Sequence, residues 1–547
     1  MITPGFFGFF NAQRALITAQ NALSTINHNI ANVNTPGYSR QRVEISAFDA
    51  YQAPGWQAAI GGQIGQGSMV DQVIRIRDAF LDAQYIQENS TLGFNSVKQT
   101  LLGQMEAILN EPSDSGINSA LARFFDAAQE LSIHPDSIPV RQDFIQAAAD
   151  FTTVVNQIGT QLYDVRTNLV GDHTLPQTIG LSQAALVVNQ INEKLASIAG
   201  LNKQIVTVFA SGAQPNDLLD QRDKLLDELS ELVDIEVTHR ERGLVDVAIG
   251  TNPAGGGAIT VVRGAELLDT LSYTLNNTGA PNTLNSNFNR PGFVRLTNNP
   301  AVLFNDVFAG EKLQSGKLTA ILQMGYGDYP PTIPAANQLP YDNVRTLMQD
   351  LTIFMANFAD SVNDIQRQGL DINGNSANLT SIFLPATPIA GPVPLPTDPV
   401  NPVNGLLSYR VNPVLFGPGG PDLIAAAIND PAAPGPPVGF AGVGDGRNAL
   451  AIAQLRDQNI GGLSGLSFGE YLNGRISQVG IQSRTFQDRT TSQQNVVNAL
   501  EQRRQATSGV SLDEETIDMV RFQRAFEASS RVIRSLDEII ETIINMT

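Results

Sequence analysis

The most regular spacing of apolar residues lies at the two ends of the chain. Near the start, Ala12, Leu16, Ala19, Leu23, Ile26, Ile30 and Val33 step by 4, 3, 4, 3, 4 and 3, the seam of a left-handed coiled coil. Met519, Phe522, Phe526, Ser529, Ile533, Leu536, Ile540 and Ile543 repeat that pattern near the end. A seam requires a partner, and a lone amphipathic helix buries nothing in water. The two ends are therefore predicted to meet, with the rest of the chain looping out between them. The last helix also carries a second apolar row, Ala525, Ala528, Val532, Ile539 and Met546. That face is wider than a two-stranded seam needs, which predicts further copies or related subunits around it. A closed helical core at both ends is the other reading of the pattern alone.

The intervening chain changes period several times. Residues 49–77 mix glycines with a short alternating run and predict an extended connector with a strand or two. From about 78 to 234 the period is helical, with Ile191, Leu195, Ile198, Asn202, Ile205 and Phe209 on one stripe and loops at Glu111–Gly116 and around Pro135 and Pro139. From Ile235 the period becomes two: IEVTH and LVDVAIG predict a hairpin across Arg240–Gly243, and ITVVRG, LSYTL and FVRL predict further short strands. Helical spacing returns at Leu347, Leu351, Phe354, Phe358, Ser361 and Ile365. Residues 385–437 hold 14 of the chain's 30 prolines, which predicts an irregular surface excursion because proline neither continues a helix nor pairs in a central strand. Residues 446–459 resume a helix. A long one follows with Ile476, Val479, Phe486, Val497 and Leu500 on one stripe, expected to pack on the helix over 184–209.

These segments predict an α+β multidomain protein. Its parts are a terminal α-helical coiled coil over 1–48 and 508–547, a long-helix bundle over 49–235, 344–370 and 446–507, an inserted β-rich outer domain over 236–343, and the Pro-rich excursion over 371–445.

Composition narrows the function. The chain has 547 residues, no cysteine and a net charge of −19. Absence of cysteine removes disulfides, zinc–thiolate sites and thiol catalysis, and the acidic balance opposes nucleic-acid binding, which needs a basic face. No run approaches the roughly 18 apolar residues of a membrane span. GFFGFF at 5–10 lacks the basic flank and length of a secretory signal.

Four patterns could carry chemistry. Gly465-Leu466-Ser467-Phe468-Gly469 matches a nucleophile elbow, but His28, His134, His173 and His239 all lie upstream. Asp371–Asn375 begins like a calcium loop, with its glycine misplaced and Ile382 where a bidentate acid is required. Gly255–Gly257 lacks the Lys-Ser/Thr of a phosphate loop. Asp217, Asp220, Asp223 and Asp227 share one helical face, yet Arg222 and Lys224 interleave with them, so a solvated salt-bridged helix outweighs a metal site. No catalytic residue, metal or cofactor is assigned, and the chain is not expected to be an enzyme.

After the first seam come Asn32, Asn34, Thr35, Pro36, Gly37 and Tyr38, in which Pro36 and Gly37 fit a type II turn. Here ANVNTPGYSRQ resembles the signature shared by bacterial flagellar rod, hook and hook-associated axial proteins. SGVSLDEETIDMVRFQRAFEASSRVI (508–533) resembles the end of the hook-associated type that joins hook to filament; within it Ser511 and Glu514 form a capping-box pattern. LLDQRDKLLDELS and GRNALAIAQLRDQN carry the same likeness, which covers roughly 1–60, 205–250, 310–370 and 446–547. The resemblance implies a structural subunit, exported unfolded without a cleaved signal and placed outside the cell. It would form a ring of copies of itself between the hook protein and a second junction protein, after delivery by an export chaperone. The terminal helices would line the inner tube, with Leu16, Leu23, Ile30, Phe522, Phe526, Ile533 and Leu536 foremost in the packing. A hook or rod protein is the alternative within the family, and a secreted adhesin the alternative outside it.

Overall fold

The computed structural model describes residues 4–50, 65–109, 111, 113–171, 176–252, 257–274, 293–298, 313–326, 343–376, 380–385, 409–432 and 439–546. Helix α1 (Pro4–Ala31) and helix α11 (Leu512–Met546) lie side by side and antiparallel. Gly8 faces Leu536 at one end, and Asn29 Nδ2 donates to Glu515 Oε2 at 3.0 Å at the other. Strands β1 (Gln41–Ala47) and β2 (Ser68–Arg75) form an antiparallel ribbon against α1. The Arg14 guanidinium stacks on Phe48 just past β1, 3.5 Å from the ring centroid. Residues 51–64 of the expected connector lie outside the described residues.

The body runs from α2 (Ala79–Leu109) through α3 (Ile117–Ile133), α4 (Ile138–Val170), α5 (Gln183–Ala210) and α6 (Asn216–Leu232). Strands β3 (Ile235–His239), β4 (Val245–Asn252), β5 (Gly257–Arg263) and β6 (Glu266–Leu267) make a sheet in chain order, and β7 (Leu271–Thr274) pairs with β8 (Phe293–Leu296). The expected β3–β4 hairpin forms, pairing Ile235 with Ile249 and Val237 with Val247. The body continues with α7 (Lys317–Tyr326), α8 (Val344–Gln368), β9 (Gly369–Leu370), β10 (Phe383–Pro385), β11 (Tyr409–Val411), β12 (Ala427–Ile428), α9 (Arg447–Gln454) and α10 (Phe468–Ser508).

Three expectations require correction. Residues 236–343 are not a separate β-rich domain among the described residues: Val245, Val247, Ile249, Val261 and Val262 join one continuous core with the helices, and α7 packs on α2, α4 and α5. A small sheet with one apolar face needs a cover, and α5 supplies it. The Pro-rich excursion is not wholly a surface feature either. Phe383, Tyr409, Val411, Leu415 and Ile424 are in the core, and buried Arg141 donates to the carbonyls of Pro421 (3.2 Å) and Ile424 (2.7 Å). Proline-rich backbone lacks donors of its own, so a buried guanidinium satisfies its carbonyls. Residues 386–408 and 433–438 of that segment lie outside the described residues.

The third correction concerns α10, which packs along α2 and not along the 184–209 helix. The two run antiparallel: Phe486 meets Phe94 at 6.5 Å between ring centroids, and Gln493 Nε2 donates to the Glu88 carbonyl at 2.9 Å. The buried side of α2 contains Asn89, Ser90, Asn95 and Lys98, so its apolar period is weak. At Gly93 a methyl group would lie 2.2 Å from the Glu231 carbonyl oxygen, so only glycine lets α2 approach α6 there.

Candidate assembly interface

The chain leaves α1 through the signature turn. Tyr38 N donates to the Thr35 carbonyl at 3.2 Å, and Gly37 has φ +83°, the left-handed residue of the predicted type II turn. Asn32 Nδ2 donates back to the His28 carbonyl at 3.0 Å, and Thr35 Oγ1 donates to Asn32 Oδ1 at 3.1 Å. Asn34 and Pro36 are exposed. Tyr38 sets its ring edge against His28 and donates its hydroxyl to Asn29 Oδ1 at 2.8 Å. Burial, reinforced by Asp217, Asp220 and Glu515, holds that phenol protonated well above its ordinary range, so it stays a donor.

Sequence reasoning missed Asn29. Its amide ties three elements together: Nδ2 donates to the Gln41 carbonyl (2.9 Å) and to Glu515, while Oδ1 accepts from Gln41 N (3.0 Å) and Tyr38. A polar residue on the buried side of an apolar seam was the available signal. Arg40 then reaches α11, with Nε on Glu515 Oε1 at 2.6 Å and Nη1 on Glu514. Glu514 thus turns to Arg40, whereas the capping box that does form is Ser467 with Glu470 at the start of α10. An ion pair with a half-buried arginine outweighs a cap on an exposed helix start.

The acidic face of α6 meets this turn. Asp217 accepts from Gln41 Nε2 at 2.9 Å and lies 3.3 Å from His28 Nε2. Asp220 accepts from Ser39 N (2.9 Å), Ser39 Oγ (2.7 Å) and Arg75 Nη1 (2.6 Å). Asp223 pairs with Arg222 at 2.8 Å, Arg75 at 3.0 Å and Arg77 at 3.4 Å, and Asp227 with Arg504 at 2.9 Å. The expected salt bridges form and Asp217 is exposed, but Asp220 and Asp223 are 6% and 9% exposed, so the inner part of the face is not solvated and lies under arginines from β2, the β2–α2 link and α10. Arg75, Arg77 and Arg504 are remote in sequence and carried no local signal. Among the described residues no group of three or more His, Asp or Glu is arranged to hold a metal.

Burial and these cations push the carboxyls apart. Burial holds Asp220 above its ordinary range despite Arg75 and Ser39, whereas at Asp223 burial is overcome by Arg222, Arg75 and Arg77 and the group is held below. Burial pushes Asp227 up to about 6 against Arg504, and Asp350 up to about 6 against Arg475 and Tyr471. Between about pH 4 and 6 the folded chain therefore holds protons at both groups that the unfolded chain has released, so stability falls as pH rises through that window. Thermal unfolding is expected about 1–3 °C lower at pH 7.5 than at pH 5, with a flatter slope in Asp350→Asn; a midpoint that rises across this range would contradict it.

The apolar seam residues lie where α1 and α11 meet. Ala19 and Ile26 are buried; Leu16, Leu23, Ile30, Val33, Met519, Phe522, Phe526, Ile533, Leu536 and Ile540 are half-buried. The side chains of Ile543 and Met546 lie outside those described. Two helices and a ribbon cover only one side of each seam, which accounts for the half-burial. The second row is uncovered, with Val532 49% and Ile539 54% exposed; Ile517, outside that row, is 68% exposed, and on α1 Phe10 and Ile17 are also exposed.

The enzymatic patterns take other roles. Ser467 caps α10 and no strand precedes it; Asp371 Oδ1 accepts from Asn373 N and Asn375 N, closing a turn. Gly255 and Gly256 lie outside the described residues.

The sequence family described as flagellar hook-associated protein FlgK helical domain matches residues 102–380. The chain belongs to the flagellar hook-associated FlgK family. It is a structural protein of the flagellum. Its two ends match further flagellar families, "Flagella basal body rod protein" at 10–38 and "Flagellar basal body rod FlgEFG protein C-terminal" at 501–546. Flagellar hook-associated protein 1 of Bacillus subtilis is 29% identical over 100% of this chain and 99% of that one. The protein of the same name from Escherichia coli is 26% identical over 98% and 99%. The flagellar hook junction protein FlgK of Burkholderia pseudomallei shares the fold, with a TM-score of 0.57 at 15% identity over 78% of this chain and all of that one.

Proposed function

We propose that this FlgK-family chain is a subunit of the junction between hook and filament that joins its neighbours through the terminal helices. The observation that carries this reading is the uncovered apolar row of α11 beside a half-buried seam. An isolated soluble monomer has little reason to leave Ile517, Val532 and Ile539 in water, whereas a neighbouring helix laid on them would complete the burial. The seam residues of both helices, with the signature turn, form the assembly interface in this reading. The ring, the hook protein on one side, a second junction protein on the other, a dedicated chaperone and an extracellular site after export follow from the same reading. Among the described residues no helix is long and apolar enough to cross a membrane. Isolated hooks incubated with the purified protein should gain a cap at their distal ends, seen by negative-stain microscopy; bare hooks would contradict the proposal.

A further inference from the structure

The contact between the terminal module (α1, the signature turn, β1, β2 and α11) and the body is almost entirely polar. The apolar core of the body includes no described residue of that module. What joins them is chiefly the α6 face, with Ser39 and Arg75 on Asp220, Arg75 and Arg77 on Asp223, and Gln41 on Asp217, together with Arg40 N on the Ser508 carbonyl of α10 at 2.8 Å. Asn216 adds a bond to the Val73 carbonyl at 2.8 Å. The backbone crosses the joint at two short links, 76–78 and 509–511. Beside them a groove of about 590 Å³ opens between the turn and α10, lined by Asn34, Pro36, Lys224, Glu501, Gln505 and Val510.

We propose that the aspartate ladder of α6 is an ionic latch that sets the orientation of the terminal module, and that the module turns as a rigid body into the groove when the latch is loosened. An apolar joint would resist any turn because each step would expose core, whereas buried ion pairs that open to water recover the solvation they lost on burial, so the net cost of the turn is small. The module keeps its own shape in the turn, because Asn29, Arg40 and Glu515 link its helices and ribbon internally. Arg77, within the first link, ties it to the body through Asp82 at 2.7 Å, which makes the segment from Arg75 to Asp78 the pivot. The inference rests on the joint's geometry and holds whether or not the subunit assembles at hooks.

The chain has no cysteine, so spin labels can be placed at will. Gln523→Cys on α11 with Gln204→Cys on α5, both exposed sites, reports the module against the body. Gln204→Cys with Gln487→Cys reports the body alone. Pulsed electron resonance should give a narrow module-to-body distance in the parent chain and one about twofold broader or more in Arg75→Gln/Asp220→Asn, with the body pair unchanged. Should the body pair broaden as well, that variant has lost its fold and the parent chain decides. Raising salt from about 0.05 M to about 1 M should then broaden its module-to-body distance alone. A module-to-body width unaltered by the double substitution in a folded chain, or by salt where that variant is unfolded, overturns the latch, as does a parent width already equal to the folded variant's.

Discussion

Val532→Asp combined with Ile539→Asp is expected to leave a folded subunit that no longer caps hooks. Val532 and Ile539 are 49% and 54% exposed and lie outside the half-buried seam, so charge there removes little from the α1–α11 pair. In an assembled interface the same positions would bury two unpaired carboxylates, each costing more than the roughly 1–3 kcal/mol of a buried neutral polar group, which together weakens attachment about 100-fold or more. Co-sedimentation with isolated hooks measures the loss, and an unchanged circular dichroism spectrum certifies the fold. Attachment at the parent level would move the interface away from this row. Phe526→Asp is the weaker test, since Phe526 is half-buried in the seam and its loss mixes folding with assembly.

Phe358→Ala is expected to have the largest effect on stability. This α8 residue is fully buried, and its ring lies 4.8 Å from Phe151, 5.1 Å from Phe124, 5.3 Å from Phe468 and 5.4 Å from Phe383 between centroids. Those neighbours come from α3, α4, α10 and β10, so the cavity would open where the body's elements converge. Truncating such a phenylalanine costs about 3–5 kcal/mol. A fall in the urea midpoint with an unchanged slope would show it, whereas a loss under about 1 kcal/mol would mean the cluster closes over the gap. Hook attachment by the chain that remains folded should persist, because α8 is remote from α11.

The terminal helices, the signature turn and the β3–β4 hairpin were legible because each is written in local period or turn chemistry: the seam from Ala12 to Val33, Pro36-Gly37, and the alternation from Ile235 to Ile249. What period cannot supply is a partner. The stripe of α10 names its own buried face but not α2, whose Asn89, Asn95 and Lys98 blur the matching one. The strands over 235–296 alternate as an independent sheet would, and only the packing of α5 against them shows that they share the helical core. The acidic face of α6 read as solvated because the arginines that bury it lie up to 277 residues away, as Arg504 does from Asp227. Asn29 lies beside Ile30 of the seam, and period alone does not show that its amide ties α1 to β1 and α11.

Two helices that share one half-covered seam should be the least stable part of a free subunit, and the part that gains most from neighbours. Hydrogen exchange over 8–48 and 512–542, compared between the free protein and the protein bound to hooks, tests this directly. Exchange at both ends should be much faster than in α4, α5 and α8 when the subunit is free, and should slow on binding while the body stays unchanged. Ends already as protected as the body in the free subunit, and unaltered on binding, would contradict an interface built from the terminal helices.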